Sequence, residues 1–294
     1  MPSLLDKRLV LVTGKGGVGK TTVAAALGLA AARHGKRVVV CEVAEQQRMP
    51  QLVPELTTVS VDPEQAKHEW LRYQLKSRTL AGVLSGSGLF QYLTAAAPGL
   101  TELVTIGKVW DLAQLEPRAG GRGYDLAIVD GPAIGHGLAM LRAPGTYASI
   151  ARVGPVGRHA DRIDSFIRDP AQTGVLTVAL PEEMPVNETV EFERALRRDL
   201  DMAIDQIVVN AVHPVRFRQP EIDRLRNITS DTRVTQAALN AALSEHTRAR
   251  AEHGQVRRLR RAASAPVATL PRVFEPELGR EDFERLSAEL ERRL

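Results

Sequence analysis

Gly14-Lys15-Gly16-Gly17-Val18-Gly19-Lys20-Thr21-Thr22 carries the spacing G-x-x-x-x-G-K-S/T, with a second lysine directly after the first glycine. Glycines at these positions allow successive backbone N–H groups to converge on an anion, and a following helix adds the partial positive charge of its N-terminus. In that geometry the Lys20 ammonium reaches the outer phosphates of a triphosphate, and the Thr21 hydroxyl sits on Mg²⁺. Gly14, Gly16, Gly17, Val18, Gly19, Lys20, Thr21 and Thr22 are therefore the candidate phosphate-binding residues. The pattern carries weight only between a strand and a helix. Residues 9–12 (Leu-Val-Leu-Val) form an apolar run suited to a buried strand, and the alanine-rich stretch that follows reads as a helix over 20–34.

The same alternation continues along the chain. Apolar runs suited to buried parallel strands occur at 9–12, 38–41, 126–129, 175–180, 207–209 and 267–270. Helical patterns fall at 20–34, 187–199, 234–253 and 280–294, with Gly35 closing the first and Pro185 marking the boundary before Asn187-Glu188-Thr189. This alternation predicts an α/β fold with a mostly parallel central sheet flanked by helices. Residues 62–118 interrupt the rhythm and read as a small helical insertion, broken at Ser85-Gly86-Ser87-Gly88 and Pro98-Gly99. Single-domain organisation over 1–294 is expected.

A strand running into Asp130-Gly131-Pro132 supplies the second acidic element. An aspartate at the carboxyl end of a buried strand is placed to hold Mg²⁺ through water, which pairs Asp130 with Thr21 as the metal-binding residues. His136, in Gly135-His136-Gly137, reads either as part of a phosphate-sensing loop or as a surface histidine at a helix start. The amide of Asn210, at the end of the 207–209 run, can both accept from and donate to a purine edge.

Composition narrows the setting. Hydrophobic residues make up 44% and charged residues 25% of 294 positions, as in ordinary globular chains. Aromatics are only 4%, so the core must be aliphatic. No apolar stretch approaches the ~20 residues of a membrane span, and the N-terminus lacks the regions of a signal peptide, so a cytoplasmic location is expected. Cys41 is the single cysteine, which excludes an internal disulfide and a cysteine-based zinc site, and it ends an apolar strand as a small hydrophobe. The net charge is +4, with Arg248, Arg250, Arg257, Arg258, Arg260 and Arg261 gathered late. No aromatic residue interleaves with these arginines to stack on bases, so the segment reads as a solvated helix and nucleic acid is not the expected partner.

The stretch GKGGVGKT resembles the deviant Walker A loop of the ParA/MinD, nitrogenase-iron-protein and arsenical-pump ATPases. Asp130, Gly135 and His136 match the arsenical-pump switch II pattern D-T-A-P-T-G-H. Asp62-Pro63-x-x-Ala66, the segment from Glu182 to Glu188-Thr189, Val208-Val209-Asn210 and Pro271 also resemble elements of the ArsA and tail-anchored-protein-targeting (anion-transporting) ATPases. The short actinobacterial members are the most similar, through Glu42-Val43, Ala97-Pro98-Gly99-Leu100 and Gly107-Lys108. The resemblance runs from about residue 8 to 290. It implies an ATP-hydrolysing dimeric switch that uses ATP and Mg²⁺ to bind and release a client or partner. Within it Lys15 acts across the dimer interface, and Asn210 and Pro271 frame adenine.

The departures from that family are equally specific. Its switch I, commonly D-P-A-H-S-L, has an aspartate that orients the attacking water; counted without gaps, that position falls on Ala44. A one-residue shift gives the catalytic role to Glu45. This implies slow hydrolysis by the chain alone, and either a homodimer or a heterodimer with a related ArsA-like subunit that keeps the aspartate. The arsenical pump's several cysteines and the C-x-x-C zinc clamp of eukaryotic targeting ATPases have no counterpart, so neither an arsenite nor a zinc site is expected. Residues 62–118 contain no methionine. Leu80, Val83, Leu84, Leu89, Phe90, Tyr92 and Leu93 form either a small groove for a membrane-protein client or the inner face of helices. Two further readings stand beside the dimeric switch: a nucleotide-binding regulatory subunit with little ATPase of its own, and a ParA/MinD-like positioning ATPase.

Overall fold

The computed structural model describes residues 3–43, 48–75, 98–115, 123–151, 154–229 and 232–294. Seven strands form one sheet in the order β3-β2-β4-β1-β5-β6-β7, and every pairing is parallel. They are β1 (Leu9–Gly14), β2 (Val38–Glu42), β3 (Thr57–Ser60), β4 (Leu126–Asp130), β5 (Thr173–Ala179), β6 (Gln206–Val212) and β7 (Val267–Pro271). The expected α/β class is what the chain adopts.

The apolar runs are continuous because both faces of the sheet are covered. Leu9 and Leu11 point into one core layer and Val10 and Val12 into the other, and Val39/Cys41 against Val38/Val40 repeat the division. One layer receives α1 (Lys20–Arg33) and the C-terminal helix, Arg280–Glu291. Ser287 of that last helix donates to the Ala26 carbonyl at 2.7 Å, which seats it on α1. In chain order the remaining described helices are α2 (Met49–Leu52), α3 (Pro63–Leu75), α4 (Leu100–Leu112), α5 (Ile134–Ile150), α6 (Pro155–Arg168), α7 (Glu183–Leu200), α8 (Gln219–Arg226) and α9 (Arg233–Ala262); the C-terminal helix is α10. The second core layer lies under α4 to α7 and α9. No described helix is long and apolar enough to cross a membrane.

Several boundaries differ from the sequence reading for identifiable reasons. The helix expected from Asn187 begins at Glu183, with Pro185 inside its first turn. The N–H that proline lacks has no intrahelical partner there in any case. Strand β3 went unread because it is a short edge strand, Thr57-Thr58-Val59-Ser60, with no fully buried residue. The arginine-rich segment is helical as expected, but α9 runs on to Ala262. Gly35 closes α1 at φ 75°, the left-handed C′ position. Asp62 opens α3 by accepting from Glu64 N–H at 2.8 Å. The groove candidates from Leu80 to Leu93 lie outside the described residues.

Two carboxylates fix the registration of elements that feed the site. Asp125, just before β4, accepts from the backbone N–H of Arg37 (2.8 Å) and from its guanidinium (2.7 and 3.1 Å), tying the starts of β2 and β4 together. Those hydrogen bonds, with the charge of Arg37, hold its carboxyl down at about 2. Glu193 of α7, buried, accepts from the N–H groups of Ser264 and Ala265 at 2.8–3.0 Å, where α9 hands the chain to β7.

A depressed folded-state pKa contributes stability above the unfolded value and loses it as pH falls through the folded one. Asp125→Asn should therefore lower the thermal midpoint near neutral pH, and the gap from wild type should close as acid takes the protein from the ordinary 3.8 toward about 2. A gap unchanged across that interval would contradict the assignment. Glu193→Ala leaves two N–H groups without their charged acceptor and should cost about 2 kcal/mol in denaturant unfolding, without a change in the slope of the transition.

Candidate nucleotide site

The C-terminal ends of β1, β4 and β6 converge on the loop 14–19. Gly14 ends β1 so close to β5 that a Cβ there would collide with the Val178 carbonyl oxygen. Gly16 and Gly17 are exposed, whereas Val18 is buried and anchors the loop into the core layer beneath α1. Gly19 precedes α1 at φ 90°, a conformation that side chains rarely adopt, and it offers no side-chain cap. The first helical hydrogen bond runs from Val23 N–H to the Gly19 carbonyl at 3.0 Å. The amides of Lys20, Thr21 and Thr22 are thus first-turn donors with no intrahelical acceptor, which is the arrangement that receives a phosphate.

The side chains complete this cradle. Lys20 donates to the Lys15 carbonyl at 3.2 Å, so its amine lies back over the loop. Burial pulls its pKa down, and the charge of Asp130 offsets part of that. Asp130 sits at the end of β4 in register with Val12, and its carboxylate accepts from the Thr21 hydroxyl at 2.7 Å. Burial pushes the Asp130 carboxyl up; the Thr21 hydrogen bond and Lys20 oppose this, and neighbouring Glu42 adds to it. A hydroxyl and a carboxylate in contact beside the phosphate cradle form an all-oxygen donor pair of the kind Mg²⁺ takes when it keeps several waters and phosphate oxygens. The two residues expected to serve the metal are therefore brought together and fit it. Among the described residues no cluster of three or more His, Cys, Asp or Glu side chains could hold a metal ion.

Asn210 reaches the loop from the far side of β5. Its amide nitrogen donates to the Val18 carbonyl at 3.0 Å. Pro271 ends β7 opposite Val212, so both residues expected at the base lie at the same edge of the sheet as the loop. His136 is exposed in the first turn of α5, and Gly137 packs against the Thr13 hydroxyl at the end of β1. The thiol of Cys41 is fully buried and pushed up to about 12, which makes it an inert core group. Glu45 and Ala44 lie outside the described residues.

Several contacts escaped the sequence reading. Lys15 forms an ion pair with Glu188 of α7 in its own chain, across 173 positions of sequence. Asn187, next to it, accepts from Arg258 of α9, so the arginine-rich helix meets α7 at this corner. No local pattern signals a pairing at that separation. Glu42, buried at the end of β2, accepts from the N–H groups of Arg48 and Met49 at 2.9 and 3.0 Å. An acidic residue closing an otherwise apolar strand was the only available signal for it.

Comparison with known proteins agrees with this geometry. A family profile described as anion-transporting ATPase (ArsA) matches residues 7–154, which span the loop, the end of β2 and Asp130. The chain is 28% identical over 253 residues to ATPase BagA of Mycobacterium tuberculosis, covering 80% of this chain and 74% of that protein. It is 22% identical over 275 residues to ATPase GET3C of Arabidopsis thaliana, covering 73% and 69% respectively. To the arsenical pump-driving ATPase of Escherichia coli it is 28% identical over 195 residues, 65% of this chain and 32% of the other. With half of its length matched by the family profile and the phosphate loop, Thr21 and Asp130 assembled at one edge of a parallel sheet, the chain belongs to the ArsA family of anion-transporting ATPases.

Proposed function

We propose that the chain binds Mg-ATP at the 14–22 loop and hydrolyses it as one half of a dimer whose closure captures and releases a client or partner. The observation that carries this reading is the 2.7 Å contact between Thr21 and Asp130 at the start of α1, where Lys20 lies back over the loop and the first-turn amides have no intrahelical acceptor. Lys20 neutralises the outer phosphates, Thr21 and Asp130 hold Mg²⁺, and Asn210 with Pro271 frames adenine. The metal, when bound, offsets charge on the transferring phosphoryl group, and the chain's own residues supply the positioning on which phosphoryl transfer chiefly depends.

Lys15 is the group that acts on the partner's nucleotide, and its pairing with Glu188 sets a condition on that role. The ammonium must leave Glu188 before it can cross the interface. Dimer closure therefore trades one ion pair within the chain for a contact with a polyanion. The partner is a second copy or a related ArsA-like subunit, and the client is a membrane protein or other apolar segment.

The reading of a slow, regulatory subunit has a specific observation behind it. Both N–H donors that Glu42 accepts belong to the far end of the switch I segment, so its carboxylate is engaged in holding that segment's base. With one of its oxygens so engaged, we assign the orienting of water to Glu45 or to a partner's aspartate instead.

Phosphate release from Mg-ATP by purified protein, with and without a related subunit, tests the proposal. Lys20→Ala should abolish ATP binding, whereas Lys15→Ala should keep ATP affinity within about threefold and lower turnover by about 100-fold or more, since it removes charge only from the transition state. Equal loss of binding in both variants would sink the trans role of Lys15. Asp130→Asn should raise the thermal midpoint of the nucleotide-free protein by a few degrees, because a neutral amide is less costly to bury than a carboxylate, while removing Mg²⁺-dependent turnover. A lowered midpoint would mean that Asp130 serves the fold before the metal.

A further inference from the structure

Asn210 stands where two parts of the site meet. The Val18 carbonyl can only accept, so the 3.0 Å contact fixes the amide nitrogen, and not the amide oxygen, toward the phosphate loop. The approach is close enough that a Cβ on Gly19 would collide with that nitrogen. Glycine at 19 is therefore required both by its left-handed backbone and by the arrival of Asn210. The strand is shaped for this contact. Pairing of β6 with β7 slips between Val209 and Val212, and Ala211 takes φ 56°. A left-handed alanine is a strained conformation, and bulges of this kind re-aim a side chain beside active sites.

An asparagine amide has two N–H groups and one oxygen. One N–H is committed to Val18. The other N–H and Oδ1 share the opposite edge, the donor–acceptor pair that asparagine uses against the amino group and ring nitrogen of adenine. We infer that Asn210 is a strut: it reads the base with one edge while its other N–H holds the Val18 carbonyl, so that seating the base fixes the loop that grips the phosphates. Asn210 is then a positioning residue for the phosphate end as well as a reader of the base. This rests on the ATP-binding reading above.

A ligand without a base separates the two roles. Calorimetric titration of the full chain with inorganic tripolyphosphate and Mg²⁺ should give an affinity about threefold to tenfold weaker in Asn210→Ala than in wild type, the loss of one neutral hydrogen bond. Asn210→Asp, which keeps the size but has no N–H to offer Val18, should lose at least as much. The preference for ATP over GTP should collapse in Asn210→Ala at the same time. Arg168→Ala, which loses the 2.7 Å hydrogen bond from its guanidinium to the Leu200 carbonyl at the far end of α7, should leave both the tripolyphosphate affinity and the ATP/GTP preference unchanged, which distinguishes positioning from general destabilisation. Wild-type affinity for tripolyphosphate in Asn210→Ala, with only the base preference lost, overturns the strut and leaves the ATP-binding reading intact. Failure of the wild-type protein to bind either ATP or tripolyphosphate overturns both.

Discussion

An ammonium and a carboxylate withdrawn from water at the edge of a parallel sheet are the constraint around which this molecule is organised. Lys20 and Asp130 each pay for partial burial, as the opposite shifts in their proton affinities record. They partly compensate one another, and the Thr21 hydroxyl supplies a further hydrogen bond to the carboxylate. Such an arrangement is poorly suited to an empty surface and well suited to a polyanion with a divalent cation, which would satisfy both groups together. The seven parallel strands bring the ends of β1 and β4 side by side, and the two core layers keep those ends from moving apart.

Much of this was legible in the sequence because the phosphate cradle is local. Its glycines, Lys20 and Thr21 lie within nine consecutive residues, and the apolar runs on either side of them are long enough to be read as buried strands. Asp130 could be found because it terminates another such run. Strand β3 could not, since its Thr and Ser side chains lie at an exposed edge and leave no hydrophobic signature. The start of α7 lies earlier than the sequence suggests, because Pro185, which reads as a boundary before the helix, is equally at home in its first turn. Long-range polar contacts were out of reach altogether: nothing near Lys15 points to Glu188, and nothing near Val18 points to Asn210.

Those long-range contacts form a second tier around the cradle. Glu188 and Asn187 join the loop and α9 to the first turns of α7, and Glu193, on the same helix, secures the entry to β7. Helix α7 thereby touches the 14–19 loop through one carboxylate and the connection leading into β7 through another. The arginine-rich face of α9, which by composition alone suggests a polyanion, spends Arg258 on Asn187 within the protein. Charge counting overstates what such a helix offers to a partner when part of it is engaged at home.

The clamp made by Glu42 has an evolutionary reading. Its carboxylate joins the last residue of β2 to the residues that open α2, so the two ends of the intervening segment are closed on each other independently of what lies between. A neck closed by a carboxylate and two backbone N–H groups holds whatever the side chains between its ends, because none of them makes these bonds. Under the proposed function, such a neck would let water-orienting groups be gained, lost or ceded to another subunit by point substitution while its own hydrogen bonds stay in place.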